Sequence, residues 1–132
     1  MKKFLVCMGG LLTIIWGIAH LIPTEKVIKG FGNITADNIR IIRMEWINEG
    51  LTLIFMGLLT IICTILNNSE NRVIKAVYVL TFSMLLAMSV LSLNTGFKIN
   101  FLPFKLCPLI FMVSGLLILQ GVRFGKTNHY SN

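Results

Sequence analysis

His20, Glu45 and Glu49 are the residues of this chain with the most chemistry to offer, because each borders a long apolar run. An ionisable side chain at such a place is costly unless it finds a partner or a watery cavity. Glu45 and Glu49 stand one helical turn apart, on a stripe that continues through Thr52 and Met56, with Asn48 at its flank. Glu49 is the deeper of the two and leads straight into uninterrupted apolar sequence. It needs a cation, which His20 or Lys105 could supply. A carboxylate and an imidazole can share a proton, and together they can grip a carbonyl, a hydroxyl or a lipid head.

The elements that must position these groups are four apolar stretches: Phe4–Ile22, Trp46–Leu66, Val73–Leu93 and Leu106–Val122. Each has about 17–22 residues, and about 20 cross a hydrocarbon core as a helix. With 55% hydrophobic and 13% charged residues in 132, the chain is far from the composition of a soluble domain. The expected fold is all-α: a single domain spanning 1–132, built as an antiparallel bundle of four transmembrane helices. The expected location is the cell membrane, crossed several times.

In that arrangement His20 lies in the last turn of the first helix, and Glu45, Trp46 and Glu49 at the start of the second. Asn94 and Thr95 end the third, and Lys105 and Cys107 open the fourth. All four helices deliver a polar group to the same end of the bundle. The expected site is a polar pocket of His20, Glu45, Trp46, Glu49, Asn94 and Lys105. A plainer alternative makes Trp46 a belt anchor, Lys105 a snorkelling cation, and Glu45 with Arg43 a solvated helix start.

An even number of spans puts both termini on one side. That face carries Lys2, Lys3, Arg72, Lys75, Arg123 and Lys126; the other carries Lys26, Lys29, Arg40, Arg43, Lys98 and Lys105. The positive-inside count is tied. The Lys2-Lys3 pair before the first helix favours cytoplasmic termini, as do four acids (Glu25, Asp37, Glu45, Glu49) on the opposite face. The net charge of +7 is thus spread over helix ends, where it meets headgroups, and no basic run interleaved with aromatics suggests nucleic acid. Although Met1-Lys2-Lys3 and the following apolar run resemble a signal peptide, no small-x-small cleavage pattern follows, so the run is expected to stay as the first helix.

The long first loop holds Thr24-Glu25-Lys26-Val27-Ile28-Lys29, a cap residue and a short amphipathic helix, with Gly30 as its stop. Helical spacing resumes near Asp37, so the second helix should begin before the membrane. The short polar turn 67–71 predicts that helices two and three are antiparallel neighbours. Pro108 is expected in the first turn of helix four.

Gly10 and Gly17 in the first helix, and Gly50 and Gly57 in the second, are each seven residues apart, and Ser114 and Gly121 repeat the interval in the fourth. Such small residues let helices approach closely, so they are expected to line packing seams. Cys7, Cys63 and Cys107 form no motif and are expected as apolar fillers; a Cys7–Cys63 bridge would need neighbouring helices with matching rotation. There is no nucleophile elbow, no paired-histidine or paired-cysteine motif and no phosphate loop. His129 lies in the polar tail, so haem held by two histidines is not expected, nor is a metal.

At Gly17-Ile18-Ala19-His20-Leu21-Ile22-Pro23 the chain resembles the DoxX-like small membrane proteins, compact four-helix bundles whose first helix often ends in a Gly-x-x-His-x-x-Pro pattern. The resemblance implies an accessory role in membrane redox or quinone-linked processes. The chain lacks a redox cysteine pair and carries its own Met44-Glu45-Trp46-Ile47-Asn48-Glu49 segment, which sets it apart from that role. The leading expectation is a non-catalytic protein that binds a lipophilic ligand, quinone- or lipid-like, or a membrane partner. Two others are a membrane-embedded enzyme using Glu49 and His20 as acid and base, and a small transporter acting as a homo-oligomer.

Overall fold

A computed structural model describes residues 2–66, 72–96, 99–100 and 102–125. Its helices are α1 (Lys2–Leu21), α2 (Thr24–Gly30), α3 (Ala36–Leu66), α4 (Arg72–Asn94) and α5 (Leu102–Leu119), the last continued by a 3-10 segment, Gln120–Gly125. Four are long and apolar enough to cross a membrane, which makes this an all-α bundle of membrane helices. At 31 residues, α3 is about 46 Å long, so roughly a third of it extends beyond a hydrocarbon core of about 30 Å. The overhang is its N-terminal part, which sets Glu45 and Glu49 at the edge of the apolar layer.

α1 is the central helix: it packs against α3 on one side and α5 on the other, and α4 packs against α5. The α1–α3 seam is built on the four glycines. A Cβ on Gly17 would sit 2.8 Å from the Gly50 carbonyl oxygen, and one on Gly10 would sit 3.0 Å from that of Gly57. Equal intervals on antiparallel helices bring both pairs into register at once, which gives the internal sequence echo a physical meaning. The neighbouring Gly9 serves the other side of α1, where its Cβ would lie 2.8 Å from the Ser114 carbonyl oxygen of α5. Gly121 lies against Tyr78 of α4. Ser114 and Gly121 therefore serve two interfaces, because the helix tightens to 3-10 between them.

Although a short connection joins them, α3 and α4 touch little. Beside that connection the hydroxyls of Thr64 and Tyr78 share a 2.9 Å hydrogen bond. Further along, the two helices part. The turn 67–71 itself, like His129 and the rest of the C-terminal tail, lies outside the described residues.

Three local expectations need correcting. Thr24 does not cap α2; its hydroxyl donates to the Leu21 carbonyl, 2.6 Å away, and so satisfies an end of α1 instead. Gly30 is the last residue of α2, and the left-handed turn falls on Gly32 at φ 71°, where the missing Cβ removes the strain. Pro108 sits inside α5, while Pro103 occupies the first turn, because the helix starts at Leu102. Ser89 of α4 donates to the Pro108 carbonyl at 2.8 Å and ties the two helices there.

Candidate ligand site

The last carbonyls of a helix have no partner within it. At the end of α1 the carbonyl of His20 finds one in the indole of Trp46, whose Nε1 donates to it across 2.6 Å. This fixes Trp46 of α3 over His20. Their rings stack with centroids 3.8 Å apart and planes 16° from parallel. On α5, Phe104 meets Trp46 edge-on at 5.4 Å. Three helices thus converge on one aromatic cluster.

His20 is 5% exposed, and its Nε2 lies 3.4 Å from Glu49 Oε2. That distance is in ion-pair range, but the approach is not aligned as a hydrogen bond, and Nε2 makes no other. The two residues come from helices that the glycine seam holds together, His20 one turn past Gly17 and Glu49 next to Gly50. Glu49 itself remains 36% exposed. Its carboxylate faces a cleft of about 590 Å³ between α3 and α4, where those helices part.

The cleft is largely apolar, with its polar groups mostly on one wall. From α3 come Glu45, Asn48, Glu49 and Thr52 together with Ile41, Ile42 and Trp46; from α4 come Met84, Met88 and Leu91, with Ser92 beside them. Phe31, Ile99 and Phe104 close the outer end. On the far side of the His20–Trp46 stack lies a smaller cavity of about 170 Å³, bounded in part by Trp16, Leu102 and Leu106. Trp16 Nε1 is buried there, with the Cys107 thiol as its neighbour. His20 borders that cavity while Glu49 borders the cleft, so the stack is a partition between them.

Of the six residues expected to form the site, the structure brings together His20, Glu45, Trp46 and Glu49. It places Asn94 and Lys105 apart. Asn94 is exposed and donates to the Val90 carbonyl of its own helix, and Ser92 takes the cleft-facing place. Lys105 is exposed and reaches Asn100 Oδ1 at 3.5 Å, while its neighbour Phe104 turns inward. Phe104, Phe31 and the α4 methionines were not anticipated. Met84, Met88 and Leu91 share one helical stripe, and that spacing was a signal available in the sequence.

Comparison with protein-family models, curated proteins and solved structures returns no match. The chemistry must therefore be read from the residues. Among the described residues no group of three or more His, Cys, Asp and Glu side chains could hold a metal ion. Cys7, Cys63 and Cys107 are free thiols. What the site offers is a carboxylate near the start of an apolar run, with a buried imidazole 3.4 Å behind it and a long apolar wall in front. It can accept hydrogen bonds from, or neutralise, the polar end of a molecule whose remainder lies in hydrocarbon.

Proposed function

We propose that this protein binds a lipophilic small molecule in the cleft between α3 and α4, with the polar head at Glu45 and Glu49 and the apolar body along Met84, Met88 and Leu91. The observation that carries the reading is a largely apolar cleft of about 590 Å³, a volume usual for small-molecule sites, in which Glu45, Asn48, Glu49 and Thr52 gather most of the polar groups on α3 while α4 contributes Met84, Met88 and Leu91. The protein would sit in the cell membrane with both termini cytoplasmic, so the cleft would open near the outer face. The likeness of Gly17–Pro23 to the DoxX-like bundles enters as a shared architecture, with an accessory, ligand-holding role rather than a redox one.

The 3.4 Å approach of His20 to Glu49 also favours a second reading, an enzyme using the pair as acid and base. In that case Glu49 would touch the substrate, and His20 would act through it from behind the Trp46 stack.

The test is to extract the protein from its own membrane in polymer-bounded discs and identify bound small molecules by mass spectrometry. An amphiphile enriched with the unaltered protein and lost from Ser92→Trp, which fills the cleft, supports the proposal. Identical extracts from both would overturn it. Turnover of that amphiphile would select the second reading.

A further inference from the structure

We propose that the head group held at Glu45 and Glu49 is an ammonium, so that the ligand is an amphiphilic amine; this rests on the cleft being a ligand site. Among the described residues that line the cleft, the only ionisable ones are these two carboxylates. Two nearby cations are engaged elsewhere. Arg43 makes a two-point contact with Glu25, at 3.1 Å from Nε and 3.1 Å from a terminal nitrogen, and Lys105 reaches Asn100. Two carboxylates one turn apart line the same cleft, and a cation lodged between them would be attracted by both.

The remaining surroundings fit the same guest. Trp46, Phe31 and Phe104 line the cleft and present aromatic rings, whose faces attract ammonium groups. Behind Glu49, the buried Nε2 of His20 makes no hydrogen bond and lies 3.4 Å from the carboxylate, whose other side faces the cleft. A phosphate beside the ammonium would be driven against Glu45 and Glu49. Lys26 borders the adjoining hollow of about 440 Å³ and is not among the residues that line the cleft. A simple ammonium on an apolar chain therefore suits the cleft better than a phospholipid head.

The test uses the full chain in maltoside micelles and reads tryptophan fluorescence, with Trp46 in the cleft as the reporter. Two probes of equal chain length are compared: 12-bromododecyltrimethylammonium and neutral 12-bromododecanol, whose bromine quenches an indole on contact. The ammonium should quench saturably at concentrations about tenfold below the alcohol, a gap of about 1.4 kcal/mol. Glu45→Gln and Glu49→Gln should each erase most of that gap, the ammonium curve moving to meet the alcohol curve of the same variant. Trp46→Phe should abolish the saturable component in both. Equal quenching by the two probes would overturn the ammonium assignment and leave the cleft reading standing. No saturable quenching by either would take both down. Displacement of the probe by phosphatidylethanolamine at equal concentration would overturn the assignment to a simple ammonium.

Discussion

The indole of Trp46 lies flat on the imidazole of His20, 3.8 Å between ring centres, and donates its N–H to the carbonyl of the same residue. One side chain thereby terminates α1, docks α3 against it and walls the cleft from the smaller cavity. Trp46→Phe keeps a ring but loses the donor, and should cost about 1–3 kcal/mol by leaving a buried carbonyl unsatisfied. Trp46→Ala should cost more, about 3–5 kcal/mol, through the void it leaves. Unfolding in detergent, followed by circular dichroism, measures both. Equal losses would mean that the hydrogen bond, not the packing, is what matters.

His20 and Glu49 form one unit, so their removal should be non-additive. In the cycle of His20→Ala, Glu49→Gln and the double change, the coupling should be roughly 0.5–3 kcal/mol, the range for residues in contact. The double variant should be little worse than either single one. Strict additivity would show two independent interfacial residues.

The glycine seam makes a contrast that needs no ligand. Gly17→Leu or Gly57→Leu would thrust a side chain at the backbone of the partner helix and should cost about 1–3 kcal/mol. Gly30→Leu meets nothing within 4 Å and should stay within about 0.5 kcal/mol of the unaltered protein. A melting temperature that moves equally for all three would mean the seam is not close-packed.

Cytoplasmic termini can be checked with a membrane-impermeant thiol reagent on cysteine-free protein. Asn33→Cys, in the connection between α2 and α3, should label in intact cells. Asn128→Cys, beyond the described residues, should label only after lysis. The reverse pattern would invert the topology.

The spans and the glycine seam were legible because both depend on residues within one helix: apolar length, and small residues at a fixed interval. The proximity of His20 to Glu49 was legible for a related reason, since a deep carboxylate demands a partner and few candidates lie at that depth. Which helices pack against which was not. The short 67–71 connection argues for close α3–α4 packing, but the Gly10–Gly57 and Gly17–Gly50 pairs draw α3 to α1, and α4 goes to α5. The cleft is what that preference leaves behind. Asn94 and Lys105 were placed by depth alone, and depth does not fix rotation about the helix axis; Ser92 and Phe104 hold the inward places instead. Trp46 reads equally well as a belt anchor until the free carbonyl at the end of α1 shows where its N–H goes.

The central claim is that the α3–α4 cleft holds a particular lipophilic molecule rather than bulk lipid. The most direct measurement places a photo-reactive benzophenone side chain at Met88, which lines the cleft, and at Leu80, which is 69% exposed on the outer surface of α4. After irradiation in native membranes, mass spectrometry of the adducts compares the two sites. A discrete amphiphile attached at Met88, absent at Leu80 and reduced by Glu49→Gln, is the predicted result. The same spread of membrane phospholipids at both sites, unchanged by Glu49→Gln, would contradict the claim.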